Sequence, residues 1–183
     1  MAFEIEEFRN ALQAGARPNL FEVEIPGAEE ISSFLVTAAS LPGRSIGTAS
    51  AFYRGREIKL AGDMTFAPWT TVILNDSSMQ LRDYIEGWMN QYIEDLAVKT
   101  PSDNEDGSPS SYFGDITVRQ LDKSGASIRE YRLIGAWPSD ISEVGLSFDS
   151  NDQISSFTCT WQYQTFEVVG VGGESVGPGG LAP

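Results

Sequence analysis

Hydrophobic residues recur along this chain with two different periods. Leu81, Tyr84, Ile85, Trp88, Met89, Tyr92, Ile93 and Leu96 follow the i, i+3, i+4, i+7 spacing of one helix face. The spacing predicts a helix over residues ~77–96, opened by Ser77 and Gln80 as a capping box, with Asp76 placing negative charge where the helix dipole favours it. The aromatic stripe reads as core packing, because a stripe at helical spacing needs no cofactor to explain it. No other stretch keeps a helical period for this long.

Most of the remaining chain alternates with a period of two. Leu20 to Ile25 sets Phe21, Val23 and Ile25 on one face and Glu22 and Glu24 on the other. Ile31 to Ala39 reads as a second strand, ended by Leu41-Pro42-Gly43. Ser50–Tyr53 and Glu57–Ala61 flank Arg54-Gly55 as a lightly apolar β-hairpin, expected to project and touch something. Ala61-Gly62-Asp63 reads as a turn, and Trp69–Leu74 as a strand leading to the helix. Tyr112–Leu121 and Ser127–Ile134 form a hairpin around Asp122-Lys123-Ser124-Gly125, and Gly135-Ala136-Trp137-Pro138 breaks its second strand. Val144, Leu146 and Phe148 alternate with Glu143, Gly145, Ser147 and Asp149. Phe157, Cys159, Trp161 and Tyr163 then alternate with Thr158, Thr160, Gln162 and Gln164, a face that is polar yet uncharged. Residues 3–14 suit a short helix or an arm packed on a neighbour. The fold class is mainly β: a barrel or sandwich of about eight to ten strands with one flanking helix. The chain divides into an N-terminal arm over 1–16, a β domain over 17–168 and a flexible Gly-rich tail over 169–183. Such sheets must close, pack as a sandwich or pair with other subunits to hide their edges.

Composition narrows the function. The 183 residues carry 12 Lys and Arg against 26 Asp and Glu, a formal net charge of -14, with no histidine. Such a surface repels phosphate, and no basic cluster suggests tight nucleic-acid binding. The absence of histidine removes Ser-His-Asp catalysis and every His-dependent metal site. Cys159 alone can form neither an internal disulfide nor a Cys-rich zinc site, and its place in an apolar strand face suggests an inert buried thiol. Residues 100–111, TPSDNEDGSPSS, read as a solvated loop; aligning Gly107 to a calcium-loop glycine puts Ser102 and Phe113 at the end ligand positions, which does not support calcium. Gly170–Gly173 is no phosphate loop, since neither Lys-Ser/Thr nor a helix follows. Nothing resembles a signal peptide or a membrane span, so a soluble protein made in a reducing cytoplasm is expected, without stable membrane insertion.

Several stretches, in order and spacing, resemble the tail tube proteins of contractile-tailed bacteriophages. They are ARPNLFEVEI at 16–25, ASLPG at 39–43, the AGDMTF…WTTVILND run at 61–76 and AWPSDISEVGLSFDSNDQISSFTCTWQY at 136–163, with the single helix between them. The likeness extends to about residue 168; the Gly-rich tail departs from it. The resemblance implies a β-barrel or sandwich subunit without enzymatic activity or cofactor. It implies homo-hexameric rings whose strands join into one large barrel, stacked as a tube inside a contractile sheath, through which viral DNA passes into the host cell. Implied partners are the tail sheath, baseplate and tail-terminator proteins, and the tape measure protein in the lumen during assembly. The implied location is the virion, after assembly in the host cytoplasm.

A lumen that passes DNA should not grip it, because each phosphate neutralised by Lys or Arg adds affinity. Candidate lumen-lining residues are therefore Glu143, Ser147, Asp149, Thr158, Thr160 and Gln162, although the same strand faces could point to solvent or sheath. Candidate contacts between rings are Tyr53, Arg54, Gly55 and Arg56 on the hairpin, with Asp103, Glu105 and Asp106 on the loop, since Arg can pair with carboxylates of the next ring. Three other readings stay open. One is the inner tube of a tailocin or extracellular contractile injection system. Another is a monomeric barrel binding a small ligand. The third is an enzyme using a carboxylate pair, for which no motif singles out a pair.

Overall fold

The computed structural model describes residues 5–12, 15–98, 112–149, 152–169 and 175–176. Along the chain these form α1 (Ile5–Leu12), β1 (Phe21–Glu24), α2 (Glu29–Leu35), β2 (Val36–Ala39), β3 (Arg44–Tyr53), β4 (Arg56–Phe66), β5 (Trp69–Leu74) and α3 (Gln80–Val98). The second half contributes β6 (Gly114–Leu121), β7 (Ser127–Ile141), β8 (Ser156–Gln162), β9 (Thr165–Val169) and β10 (Ser175–Val176). The mainly β fold expected from alternation is what forms. Strands pair in the order β1-β6-β7-β8-β5-β2, with β9 on β7 and β10 on β9, while β3 and β4 make a separate hairpin.

β7 decides the shape of this sheet. Gly135-Ala136-Trp137-Pro138 was expected to break it, yet the strand runs on to Ile141. Its first half pairs with β6 on one side and β9 on the other; its second half pairs with β8. Gly135 sits at the corner with φ 61, a value L side chains rarely adopt. Pro138 lies opposite Trp161, next to a register shift, where a missing N–H is tolerated. One continuous strand thus carries the chain from the β1-β6-β7-β9 layer into the β7-β8-β5-β2 layer, as at a sandwich corner.

The layers enclose one core. Val23, Ile116, Val118 and Leu133 of the first layer and Trp69, Ile73, Phe157, Cys159 and Trp161 of the second are at most 2% exposed. α3 adds Leu81 and Ile85, both fully buried, and brings Trp88 within 5.7 Å of Trp161. Trp88 Nε1–H donates to the Tyr112 carbonyl at 2.7 Å, and the Tyr84 hydroxyl to the Pro26 carbonyl at 2.5 Å, which ties the helix to both halves of the chain. Of the aromatic stripe, Trp88 packs against the core, as its spacing implied, while Tyr84 stays partly exposed and the Tyr92 side chain lies outside the described residues. The helix starts later than expected, and Asp76 rather than Ser77 caps it: its carboxylate accepts the Gln80 N–H at 3.1 Å and the Ser78 hydroxyl. The Ser78 hydrogen bond, followed by the backbone ones, holds that carboxyl below its usual range.

Three other expectations change. Ile31–Ala39 is not one strand: its first part belongs to α2 and only Val36–Ala39 is extended. Ser32 explains the switch. Its buried hydroxyl accepts the Ile25 N–H at 3.0 Å and donates to the Val23 carbonyl at 3.1 Å, so the turn packs helically against the end of β1. Ala61-Gly62-Asp63 is not a turn but lies within β4, which bulges there, Gly62 and Asp63 facing the single Gly47 between Ile46 and Thr48 of β3. Val144–Phe148 is not a strand; the chain between β7 and β8 leaves the sheet after Ser142, whose N–H donates to the Thr158 carbonyl at 2.8 Å.

Candidate functional site

The surfaces available for function follow from which strand faces the core does not use. On the β5–β8 face away from the core, Thr70 lies opposite Thr160 and Val72 opposite Thr158, with Gln162 opposite Trp137. Thr158, Thr160 and Gln162 are therefore neighbours on one half-exposed surface, without a Lys or Arg among these paired positions. The other lumen candidates do not join them. Glu143, Ser147 and Asp149 are exposed on the irregular β7–β8 connection, where the Asp149 N–H donates to Ser147 Oγ at 3.3 Å. An antiparallel strand needs a hydrogen-bonded neighbour, and this stretch has none in its own chain among the described residues. It also leaves Leu146 88%, Phe148 103% and Ile154 72% exposed.

The first layer's outer face has a different chemistry, which the sequence reading missed. Arg119 of β6 takes the Glu130 carboxylate at 2.9 Å from β7, the Glu24 carboxylate of β1 at short range, and lies 3.6 Å from Glu22. The Glu24 and Glu130 hydrogen bonds raise the Arg119 pKa further, so its charge is permanent. The signal was present in the alternation of LFEVEI, whose outward glutamates needed a cation across the ladder.

The hairpin β3–β4 is longer than the sequence suggested. It turns at Arg54 (φ 48) and Gly55 (φ 79), the two positive values of a type I′ loop, with Tyr53 paired to Arg56. Arg54 lies 5.3 Å from the Tyr53 ring centroid. At the base, Phe66 meets the Tyr163 and Phe166 rings at 5.7 Å each, and Arg44 stands over Phe166. Between tip and base, Ile46, Phe52, Ile58, Leu60 and Met64 are all exposed in the single subunit. The register puts Ala51 opposite Ile58 and Ala49 opposite Leu60, an apolar strip along one hairpin face. Ser50 donates to the Glu57 carboxylate at 2.6 Å on the other face. The long flanks were missed because the bulge interrupts the alternation at Gly47 and Gly62. Asp103, Glu105 and Asp106 lie outside the described residues.

Chemistry for catalysis is sparse. Among the described residues no cluster of His, Cys, Asp or Glu is suited to hold a metal. Burial pushes the Cys159 thiol from 9.0 up to about 12, with Asp140 adding to the effect. The stability linked to this group is full below pH 9.0 and is lost as pH rises towards about 12. Iodoacetamide at about pH 8 should leave Cys159 unmodified in the native protein and alkylate it only after denaturation; rapid native alkylation would contradict its burial. An open groove of about 470 Å³ lies beside α3, lined by Tyr84, Trp88 and Phe113, outside the packed interior.

Known proteins share this arrangement. The phage tail tube protein family matches residues 3–169. The tail tube protein gp19 of Enterobacteria phage T4 is 30% identical over 85% of this chain and 94% of its own length. The tail tube protein of Serratia phage KSP90 is 25% identical over 87% of this chain and 93% of its own. In fold, the chain is similar to a chain in the sheath-tube complex of the extracellular contractile injection system PVC, with TM-score 0.59 at 14% identity, covering 91% of this chain and 98% of that one. The family match spans the sandwich, the hairpin and α3 together, and the chain belongs to the phage tail tube protein family as a structural component of the virion's tail tube.

Proposed function

We propose that the subunit works as a homo-hexameric ring that stacks into a hollow tube, enclosed by a contractile sheath and carrying viral DNA. Residues 17–168 form the tube wall in this reading, with 1–16 and 169–183 as appendages. The observation that carries it is the β3–β4 hairpin, whose apolar strip and tip have nothing to pack on among the described residues of the subunit. A two-stranded hairpin is marginal alone in water, so one this long needs a neighbour. Its tip, Tyr53 to Arg56, contacts the next ring, where Arg54 and Arg56 meet carboxylates of a strongly acidic partner copy. The exposed Leu146, Phe148 and Ile154 pack on a neighbour in the same ring, and Glu143, Ser147 and Asp149 travel with them as interface rather than channel residues. The sheath, baseplate, tail-terminator and tape measure proteins are its expected partners. Relatives of this fold occur in sheath-tube, terminator and baseplate structures of contractile injection systems. Electron microscopy of the concentrated protein tests the assembly: rings or hollow tubes support it, and monomers at every concentration end it.

The channel face in this reading is the outer surface of β5 and β8, around Thr70, Thr158, Thr160 and Gln162. It is uncharged at these positions, whereas the opposite layer carries Arg119 among its glutamates. A wall that passes a polyanion must avoid counterion-releasing contacts. Thr158→Lys, repeated in every subunit, should leave tubes intact and slow DNA ejection, with the slowing relieved by added salt. Intact tubes with normal ejection kinetics would move the channel to another face.

A further inference from the structure

The family match ends at residue 169, and Val169 is also the last residue of β9. Residues 170–183 thus lie outside the family match, and Ser175–Val176 among them pairs with the sheet. β10 runs antiparallel to β9, with Ser175 opposite Val169 and Val176 opposite Val168. The other side of β9 is already taken by β7, from Glu130 to Ile134. β10 therefore covers, beside Val168 and Val169, the edge of β9 that β7 does not use. An open edge with unpaired N–H and C=O groups is a template for a second chain. β9 is a well-fixed template, because Phe166 and Val168 are anchored in the core at 9% and 7% exposure and hold its register.

The cover is weak by construction. It has two residues, against five in β9. Gly172-Gly173 precedes it and Gly177-Pro178 follows it. Glycine raises the entropy lost on ordering, and proline cannot extend the ladder. The chain also holds a competitor. Glu143–Asp149 has the alternation of a strand and no strand partner in its own subunit among the described residues, with Leu146 and Phe148 exposed. A second copy can present this longer stretch to the β9 edge, replacing a two-residue ladder with a longer one.

We infer that β10 is a displaceable guard of the β9 edge: it occupies that edge in the free subunit and yields it to a strand from a second copy as subunits assemble. The inference rests on the ring-and-tube reading above. Purified full-length protein is compared with a chain ending at Val169 and with full-length Val176→Pro, following tube growth by light scattering and electron microscopy. Thermal melting identifies any variant that fails to fold, and Val176→Pro keeps the test available if the shortened chain does. Both variants should shorten the lag several-fold and lower the protein concentration at which tubes appear. Wild-type tubes with unchanged kinetics in the folded variants, or poorer assembly by them, would overturn the guard alone. No assembly by wild type or variants at any concentration would overturn the ring-and-tube reading, and the guard with it.

Discussion

Replacing both Ile58 and Leu60 with aspartate is expected to abolish tube growth while leaving the subunit folded. The two side chains are 50% and 55% exposed on the hairpin, facing Ala51 and Ala49 across the ladder, so the isolated subunit has little packing to lose. Exposed substitutions of this kind change stability by about 0.5 kcal/mol or less. At an interface the result differs. An uncompensated carboxylate taken out of water costs several kcal/mol per ion, and every subunit would carry two at each hairpin. Sedimentation and electron microscopy should show tubes for the wild type and none for the variant, with matching circular dichroism melts. Normal tubes from the double variant would show that this strip is not an interface.

Trp161→Ala should remove much of the subunit's stability. Trp161 is fully buried between the layers, opposite Trp69 on β5, and its Nε1–H donates to Thr71 Oγ1 at 3.0 Å. Its ring also meets Trp88, so it links the sheet to α3. Truncating a buried tryptophan costs about 3–5 kcal/mol, against a total of about 5–15 kcal/mol for a typical domain. Urea unfolding should show that loss, accompanied by weaker protection of α3. A change below about 1 kcal/mol would mean that the interior collapses around the deletion more completely than this packing suggests.

These three residues mark what could be read from the chain and what could not. Trp161 sits in an unbroken alternation from Phe157 to Tyr163, and strand period alone identified its buried face. β5 was legible for the same reason, and α3 because its apolar period is sustained over several turns. α2 was not, because Ile-Ser-Ser-Phe-Leu-Val has extended-chain propensities; the deciding contacts are Ser32 to Ile25 and Val23, seven and nine residues away. The β7 corner was hidden behind a Gly-Ala-Trp-Pro sequence that resembles a stop, because local rules do not see a strand changing partners. Ile58 and Leu60 were visible as hairpin residues, but the hairpin's length was not, since the bulge shifts the period halfway along β4. The stretch from Val144 to Phe148 shows the opposite case: its pattern is that of a strand, and among the described residues no edge of the subunit claims it.

The long path of β7 has a mechanical consequence. Two stacked sheets joined only by loops can shear along the plane between them when pushed from one end. Here a single backbone is stitched by hydrogen bonds into both layers, on either side of Gly135. A load tending to slide one layer past the other must therefore break several ladders at once or stretch covalent bonds. The subunit therefore resists shear between its two layers.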